Sequence, residues 1–173
     1  MTYLVRKISR AKWEPREELG IDAISADAVT SDLRTSGNCL SLWEYTKAAD
    51  EKELREIALA LATNPDNDRI DKIDLAWIEK DAALKEKITF ERSEGKTIAF
   101  HLRKKHVDAV RLDVTKISML ASLFASSIRE YNRFHRFTRN QVKKIISEAI
   151  ENKQVAIEKL PKKIQEQLTL NKA

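Results

Sequence analysis

The stretch "CLSLWEYTKAADEKELREIALALATNPDNDRIDKIDLAWIE", residues 39–79, decides the fold class. Residues 39–45 alternate between two sets of apolar side chains, which is typical of a strand. Asp50 is a good N-cap for residues 51–62, whose apolar positions follow a helical spacing. The motif "TNPDND" stops that helix, and residues 69–79 alternate again. A strand, a helix and a second strand predict a βαβ unit with a crossover helix, right-handed if its strands are parallel.

Further strands are predicted on either side of this unit. Residues 2–9, "TYLVRKIS", are rich in strand-forming side chains. Residues 88–102, "ITFERSEGKTIAFHL", are typical of a hairpin that turns at "SEGK". We therefore predict an α+β fold: a small mixed sheet of three to five strands with at least one crossover helix. A C-terminal helical region of two to three helices follows.

The C-terminal half carries a helical pattern. One apolar stripe continues for about four turns from Asp113 or Thr115, through Ile117, Leu120, Phe124, Ile128 and Tyr131. This stripe predicts a helix that stops just before residue 136. Thr138 and Gln141 have the spacing of a capping box for the next helix, and Pro161 suits the first turn of a third. The expected organisation is a sheet region, 1–112, and a basic helical region, 113–173, packed together as one compact unit.

Bulk composition restricts the class of protein. The chain has 173 residues, of which 42% are hydrophobic and 34% charged, as in a soluble globular domain. No apolar run approaches the roughly 18 residues of a membrane span, and the charged N-terminus does not resemble a signal peptide. The single cysteine, Cys39, excludes an internal disulfide. These features predict a cytoplasmic protein without a membrane partner.

The net charge of +5 is divided unequally along the chain. Residues 1–90 contain 14 Lys/Arg and 18 Asp/Glu, whereas residues 91–173 contain 18 and 9, so the halves carry −4 and +9. Such an asymmetry indicates an anionic partner for the C-terminal half. It is also compatible with attraction between the two halves, with attraction between two copies, or with solvated basic surface alone.

The predicted helices suggest where an anionic partner would bind. Arg129, Arg133 and Arg136 fall on one helix stripe away from the apolar one. Further cations on the second helix and in the "RKK" segment complete the candidate surface: Arg139, Lys143, Lys144, Arg103, Lys104 and Lys105. Nucleic acid is slightly favoured as the ligand, through phosphate contacts that depend on salt and little on sequence. The most consistent role is a non-enzymatic binding or regulatory protein.

A protein–protein interaction module is the alternative reading. The C-terminal amphipathic helices would then pack on an acidic protein or on a second copy in a homo-oligomer, with the basic stripe as the polar rim. Adaptors, neutralisers and immunity-type proteins are built at this size, by analogy only.

Catalytic and metal-binding templates find little support. Arg129 and His135 form an Arg-x₄₋₆-His pattern that resembles the motif of metal-independent ribonucleases of the HEPN type. The resemblance implies that His135 acts as general base beside phosphate charge held by Arg129, but that motif belongs to an all-helical bundle. A packed histidine on the apolar stripe is the simpler interpretation. With three glycines, no zinc spacing and no complete calcium loop, we assign no catalytic residue, metal or cofactor.

Overall fold

The computed structural model describes residues 1–46 and 50–169. Within these residues, the strands and α-helices in chain order are β1 (Tyr3–Ile8), α1 (Ala26–Asp32), β2 (Leu40–Tyr45), α2 (Glu51–Ala62), β3 (Ile73–Glu79), α3 (Lys80–Lys85), β4 (Thr89–Arg92), β5 (His106–Val110), α4 (Val114–Arg129), β6 (Phe134–Phe137), α5 (Arg139–Glu151) and α6 (Lys162–Thr169). Short 3₁₀ turns cover Arg10–Lys12, Glu17–Leu19, Phe100–Lys105 and Ile157–Lys159. The last four residues of the predicted helical region, 170–173, lie outside the described residues.

The strands of the described residues form one six-stranded sheet in the order β4-β5-β2-β1-β3-β6. Each strand is antiparallel to its neighbours. The α+β class is confirmed. The prediction of a mixed sheet with three to five strands is wrong, because the sheet is larger and entirely antiparallel.

The crossover helix predicted from residues 39–79 is present as α2, but the strands that it joins are not neighbours. β2 and β3 run parallel to each other because both are antiparallel to β1, which lies between them. Val5 of β1 pairs with Trp43 on one side and with Trp77 on the other. β1 has apolar side chains on both faces, as a central strand requires.

Strands β5 and β6 were not predicted from the sequence, and the physical reason differs between the two strands. The predicted hairpin is wrong because residues 93–105 form a loop and a 3₁₀ turn, and β4 pairs instead with the later β5. The helix predicted to reach residue 136 ends at Arg129. Asn132 then adopts a left-handed backbone, with φ of 49°, and the chain reverses into β6.

Helices cover both faces of the sheet and bury two apolar clusters. On one face, the side chains of Tyr3, Val5, Leu75 and their neighbours pack under α2, α5 and α6. On the other, Leu4, Ala76 and their neighbours pack under α1, α3 and α4. We call these the α5 side and the α4 side. Each strand of the sheet centre is therefore buried from both directions.

The helix starts follow from their capping residues. Thr138 and Gln141 form the predicted reciprocal capping box at the start of α5. Asp50 caps α2 through its carboxylate, which accepts the backbone N–H of Lys52. Over the described residues, no helix combines the length and the apolar character needed to cross a membrane.

Candidate anion-binding cleft

The three arginines predicted to share a helix stripe lie in three different parts of the structure. Arg129 is in the last turn of α4, Arg133 precedes β6, and Arg136 is within β6. The predicted stripe is wrong because α4 ends before Arg133.

Arg129 is an internal anchor. Its Nε donates to the carbonyl oxygen of Trp13 at 3.1 Å, and Nη2 donates to that of Ala23 at 2.9 Å. Nη1 lies 3.4 Å from the carbonyl oxygen of Asp22. One guanidinium thus holds the irregular segment 13–23 against the end of α4, and these donors are not free for a ligand.

Arg133 and Arg136 are paired with carboxylates of β3. Arg133 Nη2 lies 2.5 Å from Glu79 Oε1 at the C-terminal end of that strand. At its other end, Arg136 Nε and Nη2 contact the two oxygens of Asp74 at 2.6 and 2.8 Å, a bidentate pair between residues directly opposite in the sheet. Both carboxylates belong to the acidic N-terminal half.

The remaining predicted cations lie on two different elements. The 3₁₀ turn with Arg103, Lys104 and Lys105 contacts β2 and α2, and α5 contacts β6 and α2. Lys105 also pairs with Glu56 at 2.6 Å, and Arg103 with Glu94 at 3.5 Å. On α5, Lys144 lies 3.9 Å from Glu148, while Lys143 has no ionic partner in the part of the chain that the structure describes.

Arg136 and three cations that the sequence analysis did not select line one cleft of the sheet. The cleft has a volume of about 320 Å³ and lies where β1 ends, β3 begins and β6 ends. Its charged lining residues are Lys7, Arg10, Lys72, Arg136, Asp71 and Asp74. Antiparallel pairing brings them together, because the last residue of β1, Ile8, lies opposite Asp74 near the start of β3.

The cations of this cleft differ in how many contacts they make within the chain. The exposed ammonium groups of Lys7 and Lys72 form no ion pair with any described residue. Arg10 packs over the ring of Phe134, 4.5 Å from its centroid, and Arg136 lies over the same ring at 5.9 Å. Arg10 also meets Glu14 at 3.3 Å. Two fixed guanidinium groups and two free ammonium groups therefore surround the cleft.

Asp74 holds Arg136 in place and remains ionised. The side chain is only 4% exposed, and burial by itself would raise its pKa. The hydrogen bonds from Arg136, with help from the backbone N–H of Arg10 and the charge of Lys72, more than offset burial and lower the pKa below its ordinary value. Arg136 keeps one nitrogen, Nη1, without a hydrogen-bond partner among the described residues. That nitrogen is available to an anion.

Arg139 extends the cationic surface from the cleft towards α5. Its Nη2 donates to Gln167 Oε1 at 3.3 Å, and the same oxygen accepts the backbone N–H of Ile70 at 3.0 Å. This shared acceptor holds Arg139 beside the loop that supplies Lys72. The cations thus span β1, the loop before β3, β6 and the start of α5.

Arg129 and His135 do not come together. Arg129 lies on the α4 side, against the carbonyls of segment 13–23, whereas His135 lies opposite Leu75 and packs 4.4 Å from the Phe137 ring on the α5 side. His135 is in β6, so its predicted place on the helix stripe is wrong. Among the described residues, no cluster of His, Cys, Asp and Glu could hold a metal ion.

Comparison with protein-family models, with curated proteins and with solved structures gave no match to this chain. The fold and the cleft therefore define it only as an α+β protein with a six-stranded antiparallel sheet and a cationic cleft at one end.

Sequence reasoning missed Lys7, Arg10, Lys72 and Phe134 as site residues. Lys7 and Lys72 are separated by 65 positions and lie in the acidic half, whereas the candidate surface was chosen from the basic half. The usable signal was the position of each lysine: Lys7 near the end of the first predicted strand and Lys72 near the start of the strand predicted over 69–79. Those ends meet only if the two strands are antiparallel neighbours.

Proposed function

We propose that this protein is a non-enzymatic nucleic-acid-binding protein that holds the sugar–phosphate backbone in the cleft. The single observation that carries the proposal is the meeting of Lys7, Arg10, Lys72 and Arg136 around one concave surface, with two of these cations unpaired. The function class is the one that the charge pattern indicates, but the surface is a different one.

The chemistry of the cleft suits phosphate. Two mobile ammonium groups can follow the position of a phosphate, while a guanidinium held by Asp74 offers a fixed direction from its remaining nitrogen. Both Asp74 oxygens face Arg136, which limits repulsion of an incoming anion. Asp71 remains as an exposed carboxylate on the rim and keeps the expected affinity moderate.

A polymer fits better than an isolated anion. The cations continue past the cleft to Arg139, so successive phosphates of one strand have separate partners. Arg10, already packed on Phe134, offers the outer face of its guanidinium for stacking of a base. Contacts of this kind are mainly to the backbone and carry little sequence information.

The direct test is fluorescence anisotropy with labelled single-stranded RNA and DNA over a range of salt concentrations. The variant Lys7→Glu/Lys72→Glu should bind at least about 10-fold more weakly, and the slope of log K against log salt should fall by about 2. The matched control, Lys104→Glu/Lys143→Glu, changes the net charge equally but lies outside the cleft lining. It should change affinity about 2-fold or less after the same salt correction.

Three results would overturn the proposal. Absence of binding at low salt would remove nucleic acid as the ligand. Loss of binding in the control variant but not in the cleft variant would restore the helical surface predicted from the sequence. Equal affinity for a polyglutamate peptide would show that charge alone is recognised, and would favour an acidic protein.

A further inference from the structure

The outer face of α4 is unusual for a helix in so highly charged a chain. Of its 16 residues only Lys116 and Arg129 are charged, and both donate to backbone carbonyls of the same chain. By contrast, α5 has five charged residues among 13. The exposed or partly exposed residues along the outer side of α4 are uncharged, with Leu123 also packed against the α4-side cluster: Thr115, Ser118, Met119, Ser122, Leu123 and Ser126. We call these six residues the α4 face.

Grooves with both apolar and charged lining residues flank the α4 face on both sides, and Glu130 lines both of them. One, of about 440 Å³, lies between the helix and a loop that contributes Pro15, Ile21 and Ile24. The other, of about 300 Å³, lies towards α3 and includes Ala82 and Tyr131. Ile21 is 72% exposed. A helix face bordered by grooves of this kind is suited to receive the ridge of another helix.

Two charges mark the ends of the α4 face. Lys116 lies in the first turn, and the exposed Glu130 caps the last. They are 14 residues apart, close to four turns, so they project within about 40° of each other. Each has the sign that the helix macrodipole disfavours at its end. Glu130 has no ionic partner among the described residues, and the Lys116 ammonium contacts only the carbonyl oxygen of Arg111, at 3.0 Å.

We infer that a second copy of this chain packs on the α4 face, with the two α4 helices antiparallel about a two-fold axis level with Ser122 and Leu123. In this arrangement Lys116 of each copy meets Glu130 of the other, because both residues are equally distant from the axis. A two-fold interface must be complementary to itself, and a basic end with an acidic end and an uncharged middle satisfies that condition. The partner helix also supplies the opposite charges that each terminus lacks.

The α4 face is better suited to contact a second copy than the charged surfaces of this molecule are. Two molecules of net charge +5 repel each other at long range, and the six uncharged side chains keep charged groups away from the centre of the contact. This interface differs from the proposed nucleic-acid cleft, whose lining contains none of the α4 residues. The two proposals can therefore fail separately.

Sedimentation velocity of the full chain over a concentration series tests the inference. The wild-type protein should show a monomer–dimer equilibrium. Ser122→Arg places a charge at the centre of the interface and should weaken the dimer at least about 100-fold. Gln154→Arg, an exposed substitution beyond α5, is the matched control and should leave the dimer unchanged.

Charge exchange tests the antiparallel register. Glu130→Lys and Lys116→Glu should each weaken the dimer about 10-fold, because each creates two like-charged pairs, and the double variant should regain most of the affinity. Each single exchange should also raise the denaturation midpoint of the monomer, because it corrects the sign at a helix terminus. A merely structural role for these residues would lower that midpoint instead.

The inference is overturned if the wild-type protein stays monomeric throughout the series. It is also overturned if Ser122→Arg dimerises as the wild type does. Failure of the double variant to recover affinity would overturn the pairing of Lys116 with Glu130.

Discussion

Two sets of cations in this protein differ in whether they bind acceptors within the chain. Arg129, Arg133 and Arg136 come from the basic C-terminal half, and each donates hydrogen bonds to residues of the N-terminal half. Lys7 and Lys72 come from the acidic half, yet they have no ionic partner among the described residues. The three arginines that the sequence analysis selected are therefore largely engaged within the chain, whereas two lysines of the acidic half are exposed and not ion-paired.

The difference follows from the chemistry of the two side chains. A guanidinium presents five N–H groups in a rigid fork and can satisfy several acceptors, as Arg129 does with the carbonyls of Trp13 and Ala23. A lysine ammonium is more strongly hydrated and more easily left in solvent. The unequal division of charge along the chain thus reflects, in part, attraction between its halves.

The largest effect is expected when the best-satisfied arginine is removed. Arg129→Ala leaves the carbonyls of Trp13 and Ala23 without their donor and should lower the free energy of unfolding by about 2–3 kcal/mol. Urea denaturation measures this loss. Arg34→Ala removes an exposed arginine without a partner among the described residues and should change stability by less than about 0.5 kcal/mol. Equal losses of stability in the two variants would contradict the assignment of a structural role to Arg129.

A smaller effect, with a characteristic pH dependence, is expected at the β3–β6 pair. Asp74→Asn should lower the free energy of unfolding by about 1–2 kcal/mol at neutral pH, because Arg136 loses its ionised acceptor. The pKa of Asp74 is depressed in the folded protein, so its contribution is present above the unfolded pKa of about 3.9. That contribution is lost as the pH falls through the folded pKa.

The difference in stability between wild type and Asp74→Asn should therefore narrow at acid pH. Urea denaturation at neutral pH and at several values below about pH 4 provides the comparison. A difference that stays constant with pH would mean that packing, not the ionised carboxylate, accounts for the effect of the substitution.

The smallest effect on stability is expected at the free lysines. Lys7→Ala/Lys72→Ala removes two exposed ammonium groups and should change the free energy of unfolding by less than about 0.5 kcal/mol. Circular dichroism during urea denaturation is sufficient to measure this. A loss of more than about 1 kcal/mol would place these lysines with the structural arginines and weaken their assignment to a ligand.

Local signals predicted much of the fold correctly. The cap at Asp50, the capping box at Thr138 and Gln141, and the strand near the N-terminus depend on residues close in sequence, and all three are present. Long-range pairing could not be read in the same way. No residue within "YLVRKI" indicates that this strand pairs between the two strands of the predicted βαβ unit. The pairing of β4 with β5 rather than with its nearest neighbour is equally non-local.

The cationic site of the sequence analysis stays a prediction, and the residues chosen for it depended on one helix. Basic composition correctly indicated a surplus of cations, but the positions depended on α4 continuing past residue 129. The apolar spacing of Ile128 and Tyr131 suits both a longer helix and the turn that is present. The left-handed Asn132 ends that ambiguity in the structure, and asparagine is a residue type that tolerates this conformation. The alternation of apolar and polar residues in a four-residue strand such as β6 is short. It is a weaker sequence signal than the four-turn apolar stripe, which predicts a helix over part of the same residues.

The place of β1 in the middle of the sheet has a consequence for biosynthesis. Val5 is translated 72 residues before Trp77, its second neighbour in the sheet. β1 therefore remains without this neighbour, with apolar side chains on both of its faces, until residues 73–79 have been made. Nascent chains stalled before residue 79 should be the species most dependent on chaperones.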